Sequence, residues 1–314
     1  MHVLAPEDRA LPAAGSIVTI GVYDGVHLGH QRTLGRMVRE ARDEGLTSVV
    51  ATFDRHPAEV VRPEHAPLLL CDLPQRLELL EGLGVDVVAV IPFDSDRARE
   101  SAEDFVTDVL VGQLGATKVI VGEDFRFGRD RQGDVALLRS AGERQGFRVE
   151  GVTLGEADGN PISSTRIRSL VSEGAVEEAS ELLGRLHQVR GPVLHGDGRG
   201  GPELGCPTAN VHVPDAMALP AVGIYAGFYE DDAVGRWPAA ISIGRRPTFY
   251  ESADPLVEVH VIGFDGDLYG HQARVSFLAH LRAEERFDSV EELIAQMRLD
   301  IEASAQRCAS HDAR

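Results

Sequence analysis

Two histidines, His27 and His30, stand three residues apart in GVYDGVHLGHQ (21–31), directly after the β-branched run SIVTIGV (16–22). Gly21 and Gly25 permit a tight turn and close approach of backbone to a ligand. If a helix starts here, the two imidazoles fall on one side of its first turn. They then lie beside free backbone N–H groups and the positive end of the helix dipole, a setting that favours phosphate. Imidazoles placed there can bind phosphate oxygens and stabilise charge developing at an attacked α-phosphorus. Two other readings compete. One is a helix that happens to carry two histidines; the other is a metal site, which needs a third ligand, with His56 of TFDRHP (52–57) as the candidate.

A second candidate helix start is ISSTRIR (162–168), where Ser163, Ser164 or Thr165 can cap and Arg166 and Arg168 add positive charge. Further on, GPVLHGDGRGGPELGCPTANV (191–211) gathers glycines, Gly200 and Gly205 among them, into a loop suited to cradling phosphates through backbone N–H groups. The loop enters a strand in which Thr208 and Asn210 share a face. Their hard oxygen atoms suit Mg²⁺ bridging nucleotide phosphates. In VEVHVIGFDGDLYG (257–270) the valines alternate with Glu258 and His260. A glutamate on such a strand is either a solvated edge residue or a base that takes the proton from an attacking hydroxyl.

Composition narrows the chemistry. The 314-residue chain carries a formal net charge of −19, which disfavours a nucleic-acid-binding face. Lys118 is the only lysine and sits in GATKVIVG, so neither a Walker A loop nor a protein-kinase lysine can be built. Phosphate handling therefore falls to arginine, histidine, backbone N–H groups or a metal ion. Cys71, Cys206 and Cys308 form no CxxC pair and no disulfide framework. The N-terminus has no signal-peptide pattern and no apolar run reaches the ~18 residues of a membrane span, so the expected compartment is the cytosol.

The elements that must position these residues follow from periodicity. Runs 16–22, 47–53, 85–91, 117–122 and 147–154 predict strands, and 30–44, 73–83, 101–114 and 132–145 predict helices between them. Such alternation predicts a doubly wound α/β domain over residues 1–185, with ligands beyond the carboxyl ends of its strands. After two short helices, residues 186–314 turn to short strand-like runs between Gly/Pro/Asp clusters, an antiparallel barrel or sandwich. A helix over 289–307 closes the chain, Ser289 and Glu292 making a capping box and Val290, Leu293, Ile294, Met297 and Ile301 falling along one stripe.

GVYDGVHLGH and ISSTRIR resemble the HxGH and ISSTxxR motifs of the nucleotidyltransferase superfamily. TFDRHP and GEDFRFG (122–128) resemble the adenylyltransferase half of bacterial bifunctional riboflavin kinase/FAD synthetases. The second half resembles the riboflavin kinase module, through GxxLGxPTAN, GIYAG (223–227), SIGRRPTF (242–249), the DLYG segment and LRAEERFDSVEELIAQMRLD (281–300). The resemblance runs roughly from residue 16 to 305. It implies an α/β nucleotidyltransferase domain followed by an antiparallel Greek-key barrel with a C-terminal helix. It implies two reactions, riboflavin to FMN and FMN to FAD, each with ATP as co-substrate and Mg²⁺ as cofactor. Small molecules are then the partners, with no nucleic acid or membrane and the oligomeric state open. By motif, Gly21, Asp24, Gly25, His27, His30, Ser164, Thr165, Arg166 and Arg168 serve ATP in the first domain, and Phe53, His56, Asp124, Phe125 and Phe127 serve the flavin. In the second, Gly200, Gly205, Thr208 and Asn210 serve ATP, with Thr208 and Asn210 also at the metal. Glu258 is the base, and Arg282 and Phe287 lie near the flavin. Tyr23, Arg55, Cys206, Gly263 and Arg245-Arg246 depart from the family pattern. An enzyme with one dead half and a flavin-binding protein without turnover are the rival readings.

Overall fold

The computed structural model describes residues 1–4, 8, 14–153, 156–157, 160–195, 207–245 and 255–313. It divides into two compact units, Met1–Ser163 and Ser164–Arg314.

The first unit is a six-stranded parallel sheet. Its strands are β1 (His2–Leu4), β2 (Ser16–Ile20), β3 (Thr47–Phe53), β4 (Val87–Ile91), β5 (Ala116–Gly122) and β6 (Arg148–Val152), in the order β1-β4-β3-β2-β5-β6. A two-stranded ribbon follows, β7 (Glu156–Ala157) with β8 (Asn160–Pro161). Both faces of the main sheet are buried, as parallel sheets require. Val18, Ile20, Val49 and Val119 enter one apolar cluster with Phe105, Val109 and Leu138. Ile17, Val50, Val88 and Ile120 enter the other with Leu34, Met37 and Leu80. The connections diverge between β2 and β5, so the loops after β2 and β5 open into the crevice where such sheets bind ligands. All five expected strands match to within two residues at each end, and Leu154 of the run 147–154 lies outside the described residues. The edge strand β1 is not legible in the sequence, because three residues give no period. The helix expected over 101–114 is a short α-turn, Ala102–Asp104, continued by a π-helix, Phe105–Gln113.

The second unit begins with helices Ser164–Ser172 and Val176–Leu183, followed by a closed antiparallel barrel. Its strands are β9 (His187–Leu194), β10 (Ala209–Val211), β11 (Gly223–Asp231), β12 (Gly235–Arg245), β13 (Pro255–Val261) and β14 (Gln272–Arg282). The order β10-β13-β12-β11-β14-β9 decides between barrel and sandwich. Three consecutive strands, β11 to β13, form a meander and β14 returns beside β11, which is the Greek-key arrangement. Val257, Val259, Tyr225, Ile241 and Phe277 fill the interior. The C-terminal helix, Val290–Asp312, is capped by Ser289, whose hydroxyl accepts from the Glu292 N–H. It buries Asp300, Ser304 and Cys308, one polar row four residues apart. Val290, expected on the docked stripe, is instead 56% exposed. Polar anchors set this rotation: Asp300 pairs with Arg282, and the Cys308 thiol donates to the Gly227 carbonyl at 3.1 Å.

Candidate active sites

The first site grows from the loop between β2 and the helix Leu28–Glu44. His27 is the N-cap of that helix, and its Nδ1 accepts from the His30 N–H at 3.3 Å. The two imidazole rings stack at 3.6 Å, and Tyr23 meets His30 edge-on at 5.0 Å. A Cβ on Gly29 would come within 3.1 Å of the His27 ring, so the glycine between the histidines keeps the stack possible. The loop is strained: Tyr23 and Val26 have φ of 51° and 40°, and Gly25 has 78°. Positive φ is costly for a β-branched residue, and such strain persists only where surroundings hold it. Asp24 supplies that hold. It is buried, and its carboxylate accepts from the Leu70 and Cys71 N–H groups at 2.9 and 3.2 Å. The Gly25 N–H donates to Cys71 Sγ at 3.1 Å. Tyr23 shares a 2.5 Å hydrogen bond with Thr19.

Electrostatics keep His30 neutral. Burial lowers its pKa well below the ordinary imidazole value, and the neighbouring His27 and Arg76 lower it further. Its Nδ1 is enclosed without a hydrogen-bond partner among the described residues. Lys118, by contrast, is committed elsewhere: it pairs with Glu40 and, at 2.7 Å, with Glu150. The only lysine is therefore a sheet-to-helix staple.

The TFDRHP and GEDFRFG segments lie at the ends of β3 and β5, the two neighbours of β2 in the sheet. Phe53 ends β3 and packs edge-on against Phe93 at 5.3 Å. His56 turns inward on its own loop, Nδ1 accepting from the Ala58 N–H at 3.1 Å. Arg55 is exposed and paired with Asp54 at 3.0 Å. Phe125 and Phe127 stack at 5.4 Å, and Phe127 leans on Phe105 of the π-helix at 5.8 Å. Gly128 has φ of 69°, and a Cβ there would strike the Ala102 backbone at 2.7 Å, so the aromatic loop sits tightly on that helix start. Asp124 is exposed beside these rings. Among the described residues no three His, Cys, Asp or Glu side chains form a metal cluster, which disposes of a zinc reading built on His56 there.

Ser164, Thr165, Arg166 and Arg168 open the helix Ser164–Ser172, with Arg166 and Arg168 half-buried and Thr165 exposed.

In the barrel, register places the remaining residues. Asn210 on β10 lies directly opposite Glu258 on β13, and Glu258 lies opposite Ser242 on β12. Ser242 faces Ile224 on β11, and Ile224 faces Arg282 on β14. Directly opposed residues on antiparallel strands share a face. One row thus collects a residue from each of PTAN, the Glu258 strand, SIGRRPTF, GIYAG and LRAEE. All five are half-buried, while their strand neighbours Ala209, Val211, Val257 and Val259 point into the core. Thr208, two residues from Asn210, shares this face and also lines a cavity of about 130 Å³ with Phe264, Asp267 and Tyr269. The His260 ring bonds the Pro207 carbonyl at 2.9 Å and so fixes the start of that strand. Tyr269 stacks on His195 at 3.7 Å.

Arg282 is held by a partner. Its guanidinium makes a bidentate pair with Asp300, at 3.0 and 2.7 Å, and lies 5.8 Å from the Phe287 ring centroid. Gly263 occupies a turn with φ of 82°, which explains glycine there. Gly200, Gly205, Cys206 and Arg246 lie outside the described residues, as does the Arg245 side chain. Sequence reading did not single out Arg76, and it gave Ser242 and His260 no role of their own. A cross-strand register would have shown Ser242; Arg76 betrays itself only as a cation four residues before the core residue Leu80 on one helix face.

The chain thus joins a parallel-sheet unit with an imidazole-capped helix to a closed barrel with an Asn/Glu row. Two family models match in the same order: FAD synthetase over residues 11–166 and riboflavin kinase over residues 183–308. Among similar proteins is the bifunctional riboflavin kinase/FMN adenylyltransferase of Pseudomonas fluorescens, 39% identical over 304 residues, covering 97% of this chain and 95% of that one. The protein of the same description from Escherichia coli (strain K12) is 36% identical over 289 residues, covering 92% and 91%. A solved structure, titled a macrolide-efflux protein from Streptococcus pneumoniae, superimposes with a TM-score of 0.85 at 30% identity, covering 97% of this chain and 99% of that one. No helix among the described residues is long and apolar enough to cross a membrane. The chain belongs to the bifunctional riboflavin kinase/FMN adenylyltransferase family.

Proposed function

We propose that the chain makes FAD from riboflavin in two steps, the barrel half (186–314) forming FMN and the α/β half (1–185) adenylylating it. Riboflavin, FMN, FAD and ATP are the small molecules this family handles, and ATP is co-substrate in both steps. The observation that carries the kinase reading is the single register row Asn210–Glu258–Ser242–Ile224–Arg282.

In the kinase step Glu258 takes the proton of the primary hydroxyl that attacks the γ-phosphorus of ATP, leaving FMN and ADP. A positioned base beside oxygen ligands for the nucleotide is what phosphoryl transfer asks of a protein. Thr208 and Asn210 are the groups for Mg²⁺: both carry hard oxygens, lie on one face and neighbour the base across the strand pair. When bound, the ion neutralises charge on the nucleotide phosphates. Gly200 and Gly205 cradle phosphate, and Arg282 with Phe287 borders the flavin. Because Asp300 holds Arg282, its role there is shape rather than free charge.

In the adenylyl step the phosphate of FMN attacks the α-phosphorus of ATP and expels pyrophosphate, so no protein nucleophile is needed. His27 and His30 face the phosphates from the capped helix start, with Gly21 and Gly25 allowing close approach. Asp24 acts at one remove, holding the loop by its clamp on residues 70–71. Ser164, Thr165, Arg166 and Arg168 add donors for ATP. Phe53, His56, Asp124, Phe125 and Phe127 make the flavin side. We place both reactions in the cytoplasm, a reading supported by Cys71 and Cys308, which are thiols outside any disulfide.

Incubating the purified protein with riboflavin, ATP and Mg²⁺ and separating the flavins tests this. FMN followed by FAD is expected. FMN with no FAD would remove the adenylyl step, and unchanged riboflavin would leave a binding protein.

A further inference from the structure

Arg76 is a buried charge with no part in the two reactions as described. It lies on the helix Leu73–Gly82 and is 1% exposed. Its Nη1 donates to the Thr52 hydroxyl at 3.1 Å and to the Phe53 carbonyl at 2.9 Å. Thr52 in turn donates to the Val22 carbonyl at 3.2 Å, and the Gly21 N–H donates to the Ala51 carbonyl at 3.1 Å. The guanidinium therefore sits where the loops after β2 and β3 are tied together, at the carboxyl ends of adjacent strands. It is close enough to His30 to act on that imidazole by charge alone.

Among the described residues Arg76 has no carboxylate partner, and its Nε is enclosed without an acceptor. An arginine has five N–H donors and stays charged, so an unpaired buried one is a costly arrangement. Buried polar atoms are nearly always satisfied, and an exception calls for a missing partner. Two of the exceptions among the described residues, Arg76 Nε and His30 Nδ1, belong to side chains that act on one another by charge. A chain with 50 acidic residues could readily have supplied a carboxylate. Arg76 instead keeps its charge without a carboxylate, buried where the loops after β2 and β3 meet.

We propose that Arg76 is a further anion-holding residue of the adenylyl-transfer site, its buried guanidinium taking a phosphate oxygen of the bound substrates and of the pyrophosphate product. The assignment rests on the adenylyltransferase reading of this unit. Arginine suits the position because its planar fork can keep Thr52 and Phe53 with one nitrogen while others meet phosphate.

The test compares wild-type protein with Arg76→Met and Arg76→Lys. Titration with pyrophosphate and, separately, with FMN is followed by calorimetry, and FAD formation is measured with FMN as substrate. Arg76→Met should weaken binding of at least one anion about 10- to 100-fold, the scale of a lost charged hydrogen bond. Pyrophosphate weakening alone assigns the contact to the polyphosphate side, and FMN weakening alone to the flavin phosphate. Arg76→Lys should recover part of the loss. Riboflavin phosphorylation should stay at the wild-type rate, and an unchanged hydrogen-exchange pattern over residues 16–122 certifies a folded α/β unit. If Arg76→Met does not fold, the Arg76 Nε–H resonance of the wild-type protein, assigned through Arg76→Lys, should shift on adding pyrophosphate or FMN. Arg76→Met protein with wild-type affinities and FAD formation, or an Nε–H signal that ignores both anions, overturns the proposal. Wild-type protein that makes no FAD from FMN sinks the underlying reading instead.

Discussion

The two units solve one problem by opposite means. Each must gather triphosphate onto a chain of net charge −19 whose single lysine is already paired. The α/β unit builds its site beforehand. A strained loop is clamped by Asp24, a histidine caps the helix, a second histidine stacks on it, and a buried arginine waits beneath. The barrel unit leaves its strands regular and places neutral oxygens and a carboxylate in one row. That row offers no cation of its own beyond Arg282, which Asp300 holds. A site of imidazoles, backbone N–H groups and a buried guanidinium can meet phosphate directly. A site of oxygens needs a divalent ion between itself and the nucleotide.

The sharpest way to break the comparison is to remove the barrel's base. Glu258→Ala should lower FMN formation by about 10²- to 10⁴-fold, the usual worth of a general base, and leave FAD formation from added FMN intact. Quenched-flow product analysis with each flavin reads both. Equal loss in the two reactions would erase the division of labour. Next in size is His27→Ala, which removes the cap and the stacking partner of His30. FAD formation from FMN should fall by about 10²- to 10³-fold, the worth of one preorganised donor at the reacting phosphate, with the kinase rate unmoved.

A stability measurement separates anchoring from chemistry in the barrel. The Arg282 and Asp300 side chains are only 18% and 10% exposed, so Arg282→Ala strands a largely buried carboxylate. The cost should be about 3 kcal/mol, seen as a lower denaturation midpoint, while Glu258→Ala should barely shift it. An unaffected midpoint would mean the helix Val290–Asp312 docks without that pair.

The smallest effect distinguishes the units by acid. His30 binds its proton more weakly in the folded chain than an ordinary imidazole does. Below pH ~6.5 the unfolded chain takes up a proton that folded His30 refuses. Stability of the α/β unit should therefore fall with pH, by at most about 1.4 kcal/mol per pH unit from this group. In the barrel, burial pushes the Asp231 carboxyl up, but hydrogen bonds from Tyr229, the Val234 N–H, His271 and the Ala233 N–H outweigh it and hold the pKa at about 2. Its contribution is complete above the ordinary carboxyl range and is lost only as pH falls toward 2. Peptide-resolved hydrogen exchange from pH 7 to pH 3 should show residues 16–53 loosening before residues 223–245. Simultaneous loosening would contradict it.

Much of this is legible in the amino-acid sequence. Period-two and period-3.6 runs predict β3 to the residue, because a fully buried parallel strand between two amphipathic helices leaves a continuous apolar run. The histidine pair is legible as well, since helix-start chemistry is local. Register is not. Asn210 and Glu258 are 48 residues apart in the chain, and only the strand pairing makes them neighbours. The rotation of the C-terminal helix is hidden for a related reason: its apolar stripe is real, but Asp300 and Cys308 find buried partners on other strands and turn the helix toward them. Arg76 is hidden because its helix reads as ordinary, and only burial reveals that the cation faces inward.

The most direct test of one half-reaction for residues 1–185 and the other for residues 186–314 is complementation. Glu258→Ala and His27→Ala proteins are each given riboflavin and Mg-ATP, alone and mixed. Alone, the first should leave riboflavin unchanged and the second should stop at FMN; mixed, they should produce FAD. FAD from either protein alone, or none from the mixture, would contradict the account.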